Sequence, residues 1–187
     1  METTTLTSRK TKWILDAAHS DLGFKVRHMM ISNVKGEFQR FNANVTTIND
    51  DPSTAIVHAE IDPDSIHTND ESRDKHLRSE DFFDVKAHDK IIFESTSMQK
   101  VRGDHYELIG MLTMKGISKE IKLDVEYGGI NKDPWGNQKA GFTIKGKINR
   151  KEWGLNWNVL LETGGVLVSD EIKIHGELQF LKKTDDY

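Results

Sequence analysis

Cysteine is absent from the 187 residues, which excludes disulfides and thiolate chemistry and fits a reducing cytoplasm. Apolar runs are short, and none approaches the roughly 20 consecutive apolar residues that a membrane-spanning helix requires. The opening METTTLTSRKTK lacks the apolar stretch of a secretory signal, so a cytoplasmic location is expected unless processing has already removed a leader. Neither sign of charge dominates. The 26 basic and 30 acidic residues are interspersed and leave a net charge of −4. With no basic stripe to neutralise phosphates, a nucleic-acid partner is not expected.

Patterns that carry catalysis or metal binding are missing as well. The eight histidines (19, 28, 58, 67, 76, 88, 105 and 175) include no pair at HxxxH or HExxH spacing, so no metal site is expected. There is no Gly-x-Ser-x-Gly and no phosphate-cradling Gly-x-x-x-x-Gly-Lys. Most carboxylates fall on outward strand positions, where they are solvated and make poor general acids. No catalytic residue is assigned, and the chain is read as a non-enzyme without a cofactor. It also shows no internal repeat and no low-complexity tract.

What is present is alternation. Leu22, Phe24, Val26 and His28 share one face while Asp21, Lys25 and Arg27 point the other way, the signature of a strand with one buried side. The same period of two runs through Val57–Ile61, Ile91–Ser95, Tyr106–Met114, Ile121–Tyr127, Phe142–Ile148 and Ile172–Phe180. Parity switches between Phe38 and Phe41, which predicts a bulge or corner. Short turn-like links such as Asn49-Asp50-Asp51-Pro52 and Lys115-Gly116 favour antiparallel neighbours. The pattern predicts an all-β domain of about eight or nine strands, closed as a barrel or packed as a sandwich. It would span residues 12–182, after a polar, disordered lead-in over residues 1–11. Thr68-Asn69-Asp70-Glu71 has the form of a capping box, predicting a short helix that starts there.

Gly36, Gly110, Gly146 and Gly176 fall at inward parity. Either they are bends that let a barrel close, or, beside large aromatics, they leave a tunnel. An eight-stranded barrel is just wide enough for one small ligand, and each methylene moved out of water contributes about 0.8 kcal/mol. The residues that would line such a cavity are Phe24, Val26, His28, Phe38, Phe93, Leu108, Leu112, Met114, Leu123, Phe142, Ile144 and Ile174. Leu77, Phe82 and Phe83 of the helical insertion either touch a ligand tail from a lid or plug the barrel end. Trp153 and Trp157 form a loop expected over the opposite end, either at a mouth or as capping core. His19 and His28 either hydrogen-bond a ligand head or serve as structural histidines. Arg27 or Arg78 would add charge if that head is a pyrophosphate.

A set of motifs resembles the YceI family. Trp13-x-Leu15-Asp16-x-x-His19-Ser20 precedes Phe24-x-Val26-x-His28 and Gly36-x-Phe38-x-x-Phe41. Ser65-Ile66-x-Thr68, His76-Leu77-Arg78-Ser79-x-Asp81-Phe82-Phe83-Asp84-Val85 and Ile92-Phe93-Glu94-Ser95 come next. Gly110-x-Leu112-Thr113-Met114-x-Gly116 and Arg150-x-x-x-Gly154 complete the series. The resemblance implies an extended eight-stranded antiparallel lipocalin-like barrel with a short helical insertion. It also implies binding of a polyisoprenoid or similar amphiphile in the barrel, and a homodimer in many members. Many members are periplasmic and a leaderless subset is cytoplasmic, which this chain resembles. Val166-Leu167-Val168-Ser169-Asp170-Glu171 departs from the family's usual Gly-Asp-x-Val step. The expected function is transport or storage of a long-chain isoprenoid, an isoprenoid quinone or a fatty amphiphile. An enzyme acting on such a lipid, and a ligand-free stress-related scaffold, are the alternatives.

Overall fold

A computed structural model describes residues 7–183. Its strands are β1 (Lys10–Leu15), β2 (Asp21–His28), β3 (Ser32–Phe38), β4 (Phe41–Ile48), β5 (Asp51–Ile61) and β6 (Ile66–His67). After an α-helix, α1 (Glu71–Arg78), come β7 (Ile91–Arg102), β8 (His105–Met114), β9 (Ile117–Lys132), β10 (Gln138–Asn149) and β11 (Val168–Lys183). Of the lead-in expected over residues 1–11, the first six lie outside the described residues, and Lys10 and Thr11 already belong to β1.

Eight of these strands close a ring in the order β1-β4-β5-β7-β8-β9-β10-β11, and β11 returns to β1 through pairs from Lys12↔Lys183 to Leu15↔Phe180. All the pairings are antiparallel. The expected eight-stranded antiparallel barrel is therefore what the chain forms. The extra strands are continuations. A single 3-10 turn at Ala17–His19 bends β1 into β2, so the long β11 holds β1 with one end and β2 with the other. The corner expected between Phe38 and Phe41 separates β3 from β4, and β6 adds two pairs to β3. Past these bends β2, β3 and β6 extend the wall at one end, called the wide end. The narrow end carries the β4–β5, β7–β8 and β9–β10 turns. The wide end carries the β2–β3 turn, α1, the β8–β9 turn and the long β10–β11 connection.

The capping box is displaced. Asp70, not Thr68, caps α1, its side chain accepting from the Arg73 N–H at 2.9 Å. Thr68 is occupied elsewhere: its N–H and hydroxyl both donate to the buried Asp74 carboxylate, at 2.9 and 2.5 Å. That internal bond pins the helix to the end of β6, since a buried carboxylate must be satisfied by nearby donors.

Candidate functional site

Inward side chains meet differently at the two ends. Near the narrow end, Trp13 is buried and its indole N–H donates to Thr47 Oγ1 at 3.0 Å. Phe142 lies 5.2 Å from Tyr127 and edge-on to Phe180 at 5.9 Å. These rings fill the interior, and burial there raises the Tyr127 hydroxyl's pKa. Toward the wide end the rows stop meeting, and a cavity of about 610 Å³ opens between them.

The cavity wall brings together most of the residues expected there. Phe24, Val26, His28, Phe38, Phe93, Leu108, Leu112, Met114, Leu123, Ile144 and Ile174 line it, as do Leu77, Phe82 and Phe83 from the helical segment. Phe38 links two of these rings, 5.7 Å from Phe24 and edge-on to Phe83 at 5.9 Å. Phe142 does not line it. Its inward parity is right, but its ring is taken up by packing on Tyr127 and Phe180, just past a register shift between Gly141 and Phe142. Parity assigns a side of the sheet and says nothing of height along the barrel.

The inward glycines act through their neighbours. A Cβ on Gly110 would fall 2.5 Å from the Phe93 ring, and one on Gly36 would strike the Phe24 ring. Each phenyl lies down across a glycine, a close approach only a residue without Cβ allows. The rings thus flatten against the wall and leave the axis open, while none of the four inward glycines borders the cavity itself.

Polar groups sit at the wide mouth. Arg27 and His28 line it from β2, Ser72, Arg73 and His76 from α1, and Asp70 from the cap of α1. Most are committed to the protein. Arg27 donates to Met30 O at 3.0 and 3.2 Å, and Arg73 to the Thr68 carbonyl and hydroxyl at 2.7 and 2.8 Å. Among the described residues His28 has no side-chain hydrogen bond or ion pair. Two head-group candidates are not at the mouth. His19 stands 61% exposed on the 3-10 turn, its Nδ1 2.9 Å from Asp16, because that bend turns it out of the strand. Arg78 points back toward β6 and donates to Asp64 O at 2.9 Å and Ile66 O at 3.2 Å. Among the described residues no cluster of three or more His, Asp or Glu is placed to hold a metal ion.

The β10–β11 connection closes one side of the same mouth, not the opposite end as expected. β5 and β10 run in the same direction round an antiparallel ring, so the segments after them leave the barrel at the same end. Trp157 meets His76 edge-on at 4.6 Å and lines the cavity, whereas Trp153 is fully buried and donates to Leu112 O at 2.9 Å. The connection is held by Arg150, only 2% exposed. Its guanidinium donates to Leu155 O at 2.5 Å, Trp157 O at 2.9 Å, Ser169 O at 3.0 Å and Val168 O at 3.2 Å. Burial lowers its pKa, and nearby Asp170 opposes that shift. Sequence reasoning missed Arg73, His76 and Arg150 as wall residues. The helix signal at residues 68–71 was the available pointer to the first two.

The YceI-like domain model matches residues 13–180. The chain belongs to the YceI family. A UPF0312 protein of Staphylococcus aureus is 42% identical over 171 residues, covering 91% of this chain and 97% of the relative. Among solved structures, the Campylobacter jejuni YceI protein is 32% identical with a TM-score of 0.72, covering 98% of this chain and 100% of that one. Burkholderia cenocepacia BcnA (22% identical, TM-score 0.77, covering 88% of this chain and 98% of that one) shares the fold. So does a polyisoprenoid-binding domain from Saccharophagus degradans (13% identical, TM-score 0.63, covering 91% and 98%). Within the YceI-like domain, several motif residues prove to be architectural. Asp16 sits at the β1–β2 bend, Thr68 pins α1, and Arg150 ties the long connection.

Proposed function

We propose that the chain is a non-catalytic binding protein that carries or stores a long-chain isoprenoid or similar amphiphilic lipid. The tail occupies the barrel and the head remains at the wide mouth. The observation that carries this reading is the cavity: about 610 Å³, walled by phenyl and aliphatic side chains, filled at one end and polar only at the other. Small-molecule sites commonly enclose about 300–1,000 Å³. A tail that leaves water gains about 0.8 kcal/mol per methylene, enough to offset its ordering over a chain of several isoprene units. The S. degradans domain, which shares this fold and is described as polyisoprenoid-binding, supports the same ligand class.

The polar groups favour holding over chemistry. Arg27, Arg73 and Arg150 spend their donors on backbone carbonyls. His28 has no carboxylate hydrogen-bonded to it among the described residues, so nothing orients it as a general base. His28 and Ser72 are mouth residues whose side chains make no hydrogen bond among the described residues, which leaves them to bond a head.

Organic extraction of the purified protein, followed by mass spectrometry, tests the proposal. A co-purifying lipid, or near-stoichiometric uptake of added geranylgeraniol by stripped protein, is expected. Protein from several hosts that contains no lipid and takes up no prenyl alcohol would overturn it.

A further inference from the structure

The tip of the wide end is apolar where a soluble barrel has no structural need for it. Ile31 is 76% exposed and Leu160 is 82% exposed, with Met29, Met30 and Val159 also exposed beside them. The two segments are adjacent. The Met29 N–H donates to Leu167 O at 2.8 Å, the Leu167 N–H donates to Val159 O at 3.0 Å, and Leu160 bridges to Val166. Both adjoin the cavity, whose wall includes His28, Leu167 and Val168.

Two further observations set this rim apart. The β2–β3 turn places Met29 (φ 52°) and Met30 (φ 63°) in the left-handed region, where two-residue hairpins ordinarily use Asn, Asp or Gly. The same molecule uses such residues elsewhere, with Asn49-Asp50 at the β4–β5 turn and, after the polar Lys115, Gly116 at the β8–β9 turn. Large apolar side chains are kept at a backbone position that disfavours them. Charge is also withheld. His28–Val34 contains no Asp, Glu, Lys or Arg, and Trp153–Ser169 contains only Glu162, in a chain whose residues are 30% charged.

We propose that this rim docks on the surface of a lipid bilayer, so that ligand passes between membrane and cavity without crossing water. The inference rests on the carrier reading and extends it to where the ligand is exchanged. A bilayer fits because the rim is continuous with a cavity lined like the bilayer interior. The rim carries little charge, Glu162 and an Arg27 guanidinium already bonded to the Met30 carbonyl, which suits an apolar phase better than a polar protein surface. Shallow insertion of exposed aliphatic side chains is the ordinary mode of interfacial binding, and its strength scales with buried apolar area.

The test is flotation of the full chain with neutral dioleoylphosphatidylcholine vesicles, beside an Ile31→Asp/Leu160→Asp double variant. Both positions are exposed, so the variant should fold, which a thermal melt verifies. Wild type is expected to float at low and high salt alike, since no charge pairing is involved. The variant should partition at least about tenfold more weakly, and draw geranylgeraniol from the vesicles correspondingly more slowly. Both proteins should load equally from detergent-dispersed geranylgeraniol. Equal flotation of the two, or none by wild type, overturns membrane docking. A wild-type dimer by light scattering that the variant abolishes, with no flotation by either, overturns it in favour of a second copy covering the rim. Failure of both proteins to load from detergent counts against the carrier reading instead, and leaves the flotation result to judge the rim.

Discussion

The narrow and wide ends of this barrel are written in the same alphabet of alternating side chains and come to opposite results. Near the narrow end Trp13, Tyr127 and Phe142 pack as core, and Phe180, against Phe142, borders both that core and the cavity. Near the wide end Phe24, Phe93 and their neighbours lie back on the wall around empty space. The difference lies in how the rings pack. At one end they stack on one another, and at the other they lie flat over the glycines of the wall. That packing decides whether inward rows become core or cavity.

Truncation should divide the ends most sharply. Trp13→Ala removes a ring packed on all sides and is expected to cost about 3–5 kcal/mol. Phe24→Ala, in lipid-stripped protein, should cost only about 1–2 kcal/mol, because the ring's inner side already faces empty space and has fewer partners to lose. Urea unfolding of both variants measures the gap. Equal costs would mean the wide end packs as tightly as the narrow one, and would remove the cavity from the account.

Filling the hollow is the converse. Ala59 sits on β5 at the cavity wall, paired with Ala43 and Phe93. Ala59→Trp should place an indole in the cavity and change stability by no more than about 1–2 kcal/mol, since there is room for it. It should weaken geranylgeraniol binding at least about 100-fold, or about 2.7 kcal/mol. Unchanged affinity, measured by quenching of tryptophan fluorescence, would put the ligand somewhere other than the barrel.

The two ends also differ in their turns. Asn49 and Asp50 suit the left-handed backbone at the narrow end, and Met29 and Met30 do not suit theirs at the wide end. Met29→Asn/Met30→Gly should therefore raise stability by about 1–2 kcal/mol. Asn49→Met should lower it by about 1 kcal/mol, part of this from the lost bond between the Asn49 side chain and the Arg9 N–H. A melt in which the methionine replacements destabilise would show that those side chains serve packing, and would weaken the case for a docking rim.

These contrasts also mark what the sequence makes legible. Parity along a strand reports which side chains face inward, so the barrel and most of the cavity wall are readable from Phe24, Leu108, Leu112 or Ile174. Height along the barrel is not encoded in parity. Nor is side-chain packing: Phe142 looks like its neighbour Ile144 in sequence, yet its ring packs on Tyr127 and Phe180 and stays out of the cavity. Side chains outside the strands are least legible. His19 is turned outward by one short bend. Arg78 and its neighbour Leu77 face different ways because successive helical residues are rotated by about 100°. Trp153 and Trp157 share a motif, yet one is core and the other is mouth. Arg150 reads as an isolated charge until the carbonyls it gathers, from Leu155 to Ser169, are seen in space.

The smallest expected effect lies at the joint between the two ends. Asp16, on the bend from β1 to β2, accepts a hydrogen bond from Lys139 Nζ at 2.8 Å, with the His19 ring 2.9 Å away. The Lys139 bond is the main reason its carboxyl titrates below the usual aspartate value, with burial opposing and His19 assisting. A carboxyl whose pKa is lowered by folding contributes stability that is fully present above the unfolded value of about 3.9. That contribution is lost as pH falls through the lower folded value. Asp16→Asn should thus lower unfolding free energy at pH 7 by less than about 1 kcal/mol, since the pair is partly solvated. The difference from wild type should shrink toward zero as pH falls through the lowered folded value. Urea titrations at several pH values would show it. A penalty that persists undiminished in acid would mean Asp16 holds the bend by shape and neutral hydrogen bonding, so that the joint between core and cavity does not depend on the Lys139 charge.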